Sequence, residues 1–179
     1  MSVNITFEAH STSLDNEAGL SSGWNDVELS PTGKVQAEDL GKRYKNRHFD
    51  AVFCSDLRRS YHSASIAFSG REESNIIQDK RLRECNYGDL TQHPSENIEK
   101  EKSSRILSPF PGGESYTDTL HRMQDFLNDV RKEYAGKCVL IIGHRATQYG
   151  IEHVINGVSL EQLVSEKFRW QPGWEYELL

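Results

Sequence analysis

The chain is 179 residues long, enough for one domain with a real core and too short for a second of similar size. With 36% hydrophobic and 27% charged residues, no apolar run long enough to span a bilayer and no basic-then-apolar N-terminal leader, it is expected to be soluble and globular rather than disordered, secreted or membrane-bound. A formal net charge of −6 without a long basic run excludes nucleic acid and anionic membrane as natural partners, and three cysteines without a Cys-x-x-Cys pair point to a reducing, cytoplasmic setting rather than to disulfides or zinc.

Val3, Ile5, Phe7 and Ala9 alternate with polar residues, which predicts a first strand. Ser11 to Leu29 is rich in Ser, Gly, Asn and Asp and reads as a loop. Ser30-Pro31 is a helix start, with Ala37, Leu40, Gly41 and Tyr44 at helical spacing and a fade near Asn46. The unbroken apolar run Ala51-Val52-Phe53-Cys54 fits a strand buried on both faces. Leu57, Tyr61, Ala64 and Phe68 form the next helical stripe, and Ile76-Ile77 is a weak strand candidate. Residues 91–113 are polar and proline-containing and read as a surface excursion with room for some helix of its own. Ser115 caps a long helix that carries Leu120, Met123, Leu127, Val130 and Tyr134 on one face. Residues 138–142 are the clearest buried strand; Ser159-Leu160-Glu161-Gln162 resembles a capping box, and Trp174, Tyr176 and Leu178 alternate as a final edge strand. Alternating strands and helices predict an α/β sandwich with a mostly parallel sheet, as a single domain over residues 1–179.

Two histidines close predicted strands: His10 after the first and His144 after Cys138–Gly143. Between them in sequence come Arg59, just beyond the Ala51–Cys54 run, and Glu84. Open parallel sheets place ligands beyond the carboxyl ends of their strands. An imidazole to attack, a cation and a second imidazole to hold oxyanions, and an acid for the leaving group make a phosphoryl-transfer site.

The motifs carry a resemblance. Ala9-His10-Ser11, Asn16, Gly23-Trp24-Asn25-Asp26 and Leu29-Ser30-Pro31-Thr32-Gly33-Lys34-Val35-Gln36-Ala37 come first. They are followed by Ser55-Asp56-Leu57-Arg58-Arg59-Ser60, Leu82-Arg83-Glu84…Gly88, Pro111-Gly112-Gly113-Glu114-Ser115 with Arg122, and His144. In this order they resemble the histidine phosphatase (phosphoglycerate mutase-like) superfamily along nearly the whole chain. The resemblance implies a three-layer α/β sandwich with helices flanking the sheet, and an excursion at 91–113 near the active site. It makes His10 the phosphorylated nucleophile and Glu84 the acid that protonates the leaving oxygen. His144 and Arg59 hold the phosphoryl oxygens, and Asn16 adds a neutral donor. Neither metal nor cofactor is implied. Ser11, Gly23 and Glu114 are further candidate substrate contacts, although Asn16 and Gly23 also suit loop-shaping and Glu114-Ser115 suits a helix start. Trp24, Tyr87 and His93 are candidates for the substrate entrance, although aromatic residues on loops more often pack against the fold.

One departure stands out. Where the family has arginine before the catalytic histidine, this chain has Ala9, and Gly-Glu-Thr is replaced by Ser11-Thr12-Ser13. A bidentate guanidinium is a major phosphate anchor. Arg145 or the hydroxyls of Ser11, Thr12 and Ser13 are the replacement candidates, and a surface ion pair is the equal alternative for Arg145. The expected activity is metal-independent phosphomonoester hydrolysis through a phosphohistidine, on a small phosphorylated metabolite whose identity the sequence leaves open. The rivals are mutase-type transfer, disfavoured by the modest excursion, and a phosphate-binding regulatory module, suggested by Ala9.

Overall fold

The computed structural model describes residues 1–71 and 75–179. Its sheet contains β1 (Val3–Ala9), β2 (Ala51–Cys54), β3 (Ile76–Gln78), β4 (Cys138–Gly143) and β5 (Trp174–Leu178) in the order β3-β2-β4-β1-β5. All pairs are parallel except β1 with β5. The helices are α1 (Leu14–Glu17), α2 (Pro31–Arg43), α3 (Arg58–Ala67), α4 (Ser95–Glu101), α5 (Tyr116–Glu133), α6 (Arg145–Asn156) and α7 (Leu160–Ser165). The predicted α/β sandwich with a mostly parallel sheet is the fold observed.

The unbroken apolar run of β4 has a direct cause. Val139 and Ile141 face one core with Phe7, Phe53, Met123 and Phe126, while Leu140 and Ile142 face another with Leu40, Val52 and Phe68. A central strand covered on both sides has no polar face to keep. A third apolar cluster, including Cys85, Ile98, Phe110 and Tyr149, seats the 91–113 excursion against α6 and α7.

Several local readings need correction. The loop at 11–29 contains α1: Ser13 Oγ accepts from Asn16 N at 3.2 Å and Asn16 Oδ1 accepts from Ser13 N at 3.0 Å. The excursion holds the helix its reading left room for, α4. The α2 helix, capped by Ser30 with Pro31 following, stops at Arg43 rather than at Asn46. No sequence signal was assigned to 145–156, yet α6 is there, ended by Gly157 at φ 69°, the left-handed geometry glycine supplies at helix C-termini. Ser159 Oγ caps α7 by accepting from Gln162 N at 3.2 Å, but Gln162 Nε2 turns forward to Glu166 Oε1 at 3.1 Å, so the box is not reciprocal.

Candidate active site

Strand register brings the histidines together. In the parallel β1–β4 pair Ala9 lies opposite Gly143, so the next residue of each strand is a histidine at the same edge of the sheet. Their ring centroids are 5.0 Å apart, tilted by 56°. His10 Nδ1 is 2.7 Å from the Ser11 carbonyl oxygen, which can only accept, so Nδ1 carries the hydrogen and Nε2 the lone pair. Burial, then the nearby Arg59 cation, hold the His10 pKa down to about 3 against the opposing Ser11 contact. His10 is therefore neutral at physiological pH in the unliganded site.

His144 is the N-cap residue of α6 and is 1% exposed. Its Nε2 is 2.7 Å from Ser55 Oγ at the end of β2, and its buried Nδ1 lacks a hydrogen-bond partner. Burial, then Arg59, then His10 and Arg122 hold its pKa well below the ordinary value. The Arg59 guanidinium is buried and donates to the carbonyls of Gly23 at 2.7 Å and Asn25 at 2.9 Å. Burial pulls its pKa down, and Glu84 leads the charges that oppose this.

Glu84 is placed by backbone. Its Oε1 accepts from Cys85 N at 2.7 Å and from Ala146 N, in the first turn of α6, at 3.3 Å. That leaves Oε2 as the oxygen able to exchange a proton. Arg122 of α5 holds the segment from behind, with Nη1 donating to the Arg81 and Arg83 carbonyls at 2.6 and 2.7 Å and Nη2 to the Glu84 carbonyl at 2.9 Å. Trp24 Nε1 donates to the same Glu84 oxygen at 2.7 Å. Among the described residues, no three His, Cys, Asp or Glu side chains converge as a metal site.

A cavity of about 590 Å³ opens over this centre, with His10, His144, Glu84, Ser11, Asn16 and Arg145 among its walls. The family model of the histidine phosphatase superfamily (branch 1) matches residues 7–169. The chain belongs to that superfamily. Among the relatives of this histidine phosphatase-family protein is the 2,3-bisphosphoglycerate-dependent phosphoglycerate mutase of Cytophaga hutchinsonii, 34% identical over 75% of this chain and 68% of its own. Another is phosphoserine phosphatase 1 of Hydrogenobacter thermophilus, 26% identical over 91% of this chain and 81% of its own. Among solved structures, Bacillus stearothermophilus YhfR shares the fold at a TM-score of 0.82 and 24% identity, over 95% of this chain and 88% of that one.

In this histidine phosphatase-family site, the expected residues fall into two groups. His10, Glu84, His144, Asn16, Ser11 and Arg145 line the cavity. Arg59, Gly23 and Glu114 stand behind it. Arg59 acts on both imidazoles by its charge, and Gly23, at φ 48°, offers the carbonyl that orients it. Glu114 is a correction to the expected substrate contact. Its Oε2 accepts from Asn86 N at 2.9 Å and Arg122 Nη2 at 3.0 Å, and Oε1 from Arg122 Nε at 3.1 Å, so it braces the Glu84 segment. Trp24 packs against the fold, as loop aromatics more often do, and its Nε1 holds the Glu84 carbonyl.

Arg145 is also engaged: Nη1 donates to Glu99 Oε1 and Nη2 to the Glu166 carbonyl, both at 2.8 Å, while its buried Nε has no partner. Sequence reasoning missed Glu8, Gln36, Asp39, Arg43, Phe168 and Trp170, which also line the cavity. Gln36, Asp39 and Arg43 share one face of α2 at spacings of three and four, the signal that could have found them.

Proposed function

We propose that the chain is a phosphomonoester hydrolase working through a phosphohistidine on His10, without a metal. The observation that carries this reading is the fixed, neutral His10, with its Nε2 lone pair unprotonated and a second imidazole beside it in the same cavity. Nε2 attacks phosphorus, the bond to the ester oxygen breaks, and Glu84 Oε2 gives that oxygen its proton. Water then attacks the phosphohistidine while Glu84 takes a proton back, releasing inorganic phosphate and restoring His10. An arriving phosphoryl anion offsets the Arg59 charge, which after burial is the second cause of the lowered imidazole pKa values, and so favours a protonated, donating His144. The charge of Arg59 stabilises the spread negative charge of the transition state.

Three free cysteines, two of them buried, support a reducing, cytoplasmic setting. The substrate is a small phosphorylated metabolite. Rapid quench should trap acid-labile phosphate on the peptide containing His10, and turnover should survive excess EDTA; full activity in His10→Ala would overturn the assignment. The mutase relative motivates a second reading, in which the phosphoryl group returns to a bound acceptor. Release of inorganic phosphate without interconversion of phosphoglycerates decides for hydrolysis.

A further inference from the structure

The cavity extends well past the phosphoryl position. Its volume of about 590 Å³ is that of a site for a whole small-molecule ligand, of which a phosphoryl group occupies a minor part. Gln36, Asp39, Leu40 and Arg43 of α2, together with Phe168 and Trp170, form one arm of its wall. Resting on the phosphatase reading above, we propose that this arm is the leaving-group subsite and takes a phosphomonoester whose alcohol bears an uncharged flat ring.

The first argument is the rim. Trp170 is 60% exposed and Phe168 39% exposed, so two large apolar rings of the cavity wall face solvent. Exposed aromatic surface grouped at a concave site is an unfilled contact for a ligand face. The indole is held in place: the Arg43 guanidinium sits 5.8 Å from its ring centroid, and Arg43 Nη1 is fixed by Glu8 Oε1 at 2.6 Å.

The second argument is charge. A second phosphate or a carboxylate on the alcohol would need a cation in this arm. Arg43 is paired with Glu8, and the arm also contains Asp39, itself bonded to Lys42 at 2.8 Å. Both terminal nitrogens of Arg145 are engaged by Glu99 and the Glu166 carbonyl. The arm therefore presents its aromatic surface beside carboxylates, which disfavours a second anion and suits a neutral ring with hydroxyl or amine donors at its edge. The third argument is Ala9. It lines the cavity between Glu8 and His10 with a methyl group, leaving open the space a long side chain would occupy.

Three phosphonates with one carbon skeleton separate these chemistries: ethylphosphonate, 2-phenylethylphosphonate and 2-carboxyethylphosphonate, titrated calorimetrically into the parent and into Trp170→Ala. The phenyl ligand should bind about tenfold tighter than the ethyl ligand in the parent, the carboxyethyl ligand no tighter than the ethyl one, and the phenyl gain should fall below about threefold in the variant. A flat series, a preference for the carboxyethyl ligand, or an undiminished phenyl gain in Trp170→Ala overturns the proposal. Hydrolysis of ethyl and 2-phenylethyl phosphate, two alkyl esters, is measured alongside. Absence of turnover on both tells against the phosphatase reading and leaves the binding answer standing.

Discussion

Ala9 presents only a methyl group beside His10, and the two arginines lining the cavity are both tied to carboxylates. The phosphoryl position is therefore poor in direct cationic donors. A charge-assisted hydrogen bond contributes about 1.5–3 kcal/mol, so Ala9→Arg should tighten inhibition by phosphate or vanadate by about tenfold or more. Arg145→Ala should change that inhibition much less, because its terminal nitrogens serve Glu99 and the Glu166 carbonyl. If Arg145→Ala instead cripples both turnover and phosphate inhibition, Arg145 is the anchor. Glu84 offers a second test at this scale. With Oε1 engaged by two backbone N–H groups, Glu84→Gln should slow alkyl phosphates by about 10²–10⁴-fold and aryl phosphates far less, since good leaving groups need little protonation. Equal losses on both would make Glu84 a structural residue.

Single elements position these residues, and two joints can be broken selectively. Arg122 ties α5 to the Arg81, Arg83 and Glu84 carbonyls and to Glu114, with its side chain 16% exposed. Arg122→Ala leaves the Arg81 and Arg83 carbonyls without that donor and the mostly buried Glu114 carboxylate without its cation, held by Asn86 N alone. It should cost about 2–3 kcal/mol in denaturant unfolding. It should also lower kcat on alkyl esters more than on aryl esters, because it acts through Glu84. Arg122→Lys should not restore either quantity, since one ammonium cannot reproduce the fork. The second joint is Gly33 in α2. A Cβ there would lie 1.9 Å from the Thr12 carbonyl oxygen, in the loop that follows His10. Alanine is the better helix former by about 1 kcal/mol, yet Gly33→Ala should lower both the melting temperature and the activity by displacing that loop. A stabilised, fully active variant would show that the loop has room to move.

Across the molecule, the strand order sets the chemistry and the chemistry sets an acid sensitivity. The chain leaves β1, builds β2 and β3 on one side, then returns to insert β4 beside β1. This places His10, Ser55 and His144 at neighbouring carboxyl ends of β1, β2 and β4, and it sets a buried imidazole, His144, beside a half-buried one, His10. Both have folded pKa values below the unfolded value of 6.5, to about 3 for His10. The unfolded state then binds more protons, so stability is fully present above about pH 6.5 and is lost as pH falls from there towards the folded values. The melting temperature should drop between about pH 7 and pH 4.5. It should drop less steeply in His10→Ala, which removes one of the two groups. An unchanged slope in that variant would assign the acid sensitivity to other residues.

The order of motifs, the double-sided burial of β4 and the caps at Ser30 and Ser115 were all legible in the linear chain, because each depends on neighbours within a turn or a strand. His10, Glu84 and His144 were legible for the same reason, each sitting in a short local pattern. The polar side of β1 was not. Alternation marked a strand without showing what meets its polar residues: Thr6 and Glu8 are 0% and 1% exposed, engaged by Glu175, Tyr44 and Arg43. Glu114 looked like a substrate contact and proved to be a brace, because its partners Asn86 and Arg122 meet it only when α5 crosses the Glu84 segment. The outer wall of the cavity joins α2 to Phe168 and Trp170, more than a hundred residues further along. Periodicity reports which side of an element is covered; which distant side chain covers it is decided by the path of the chain and the packing of the sheet.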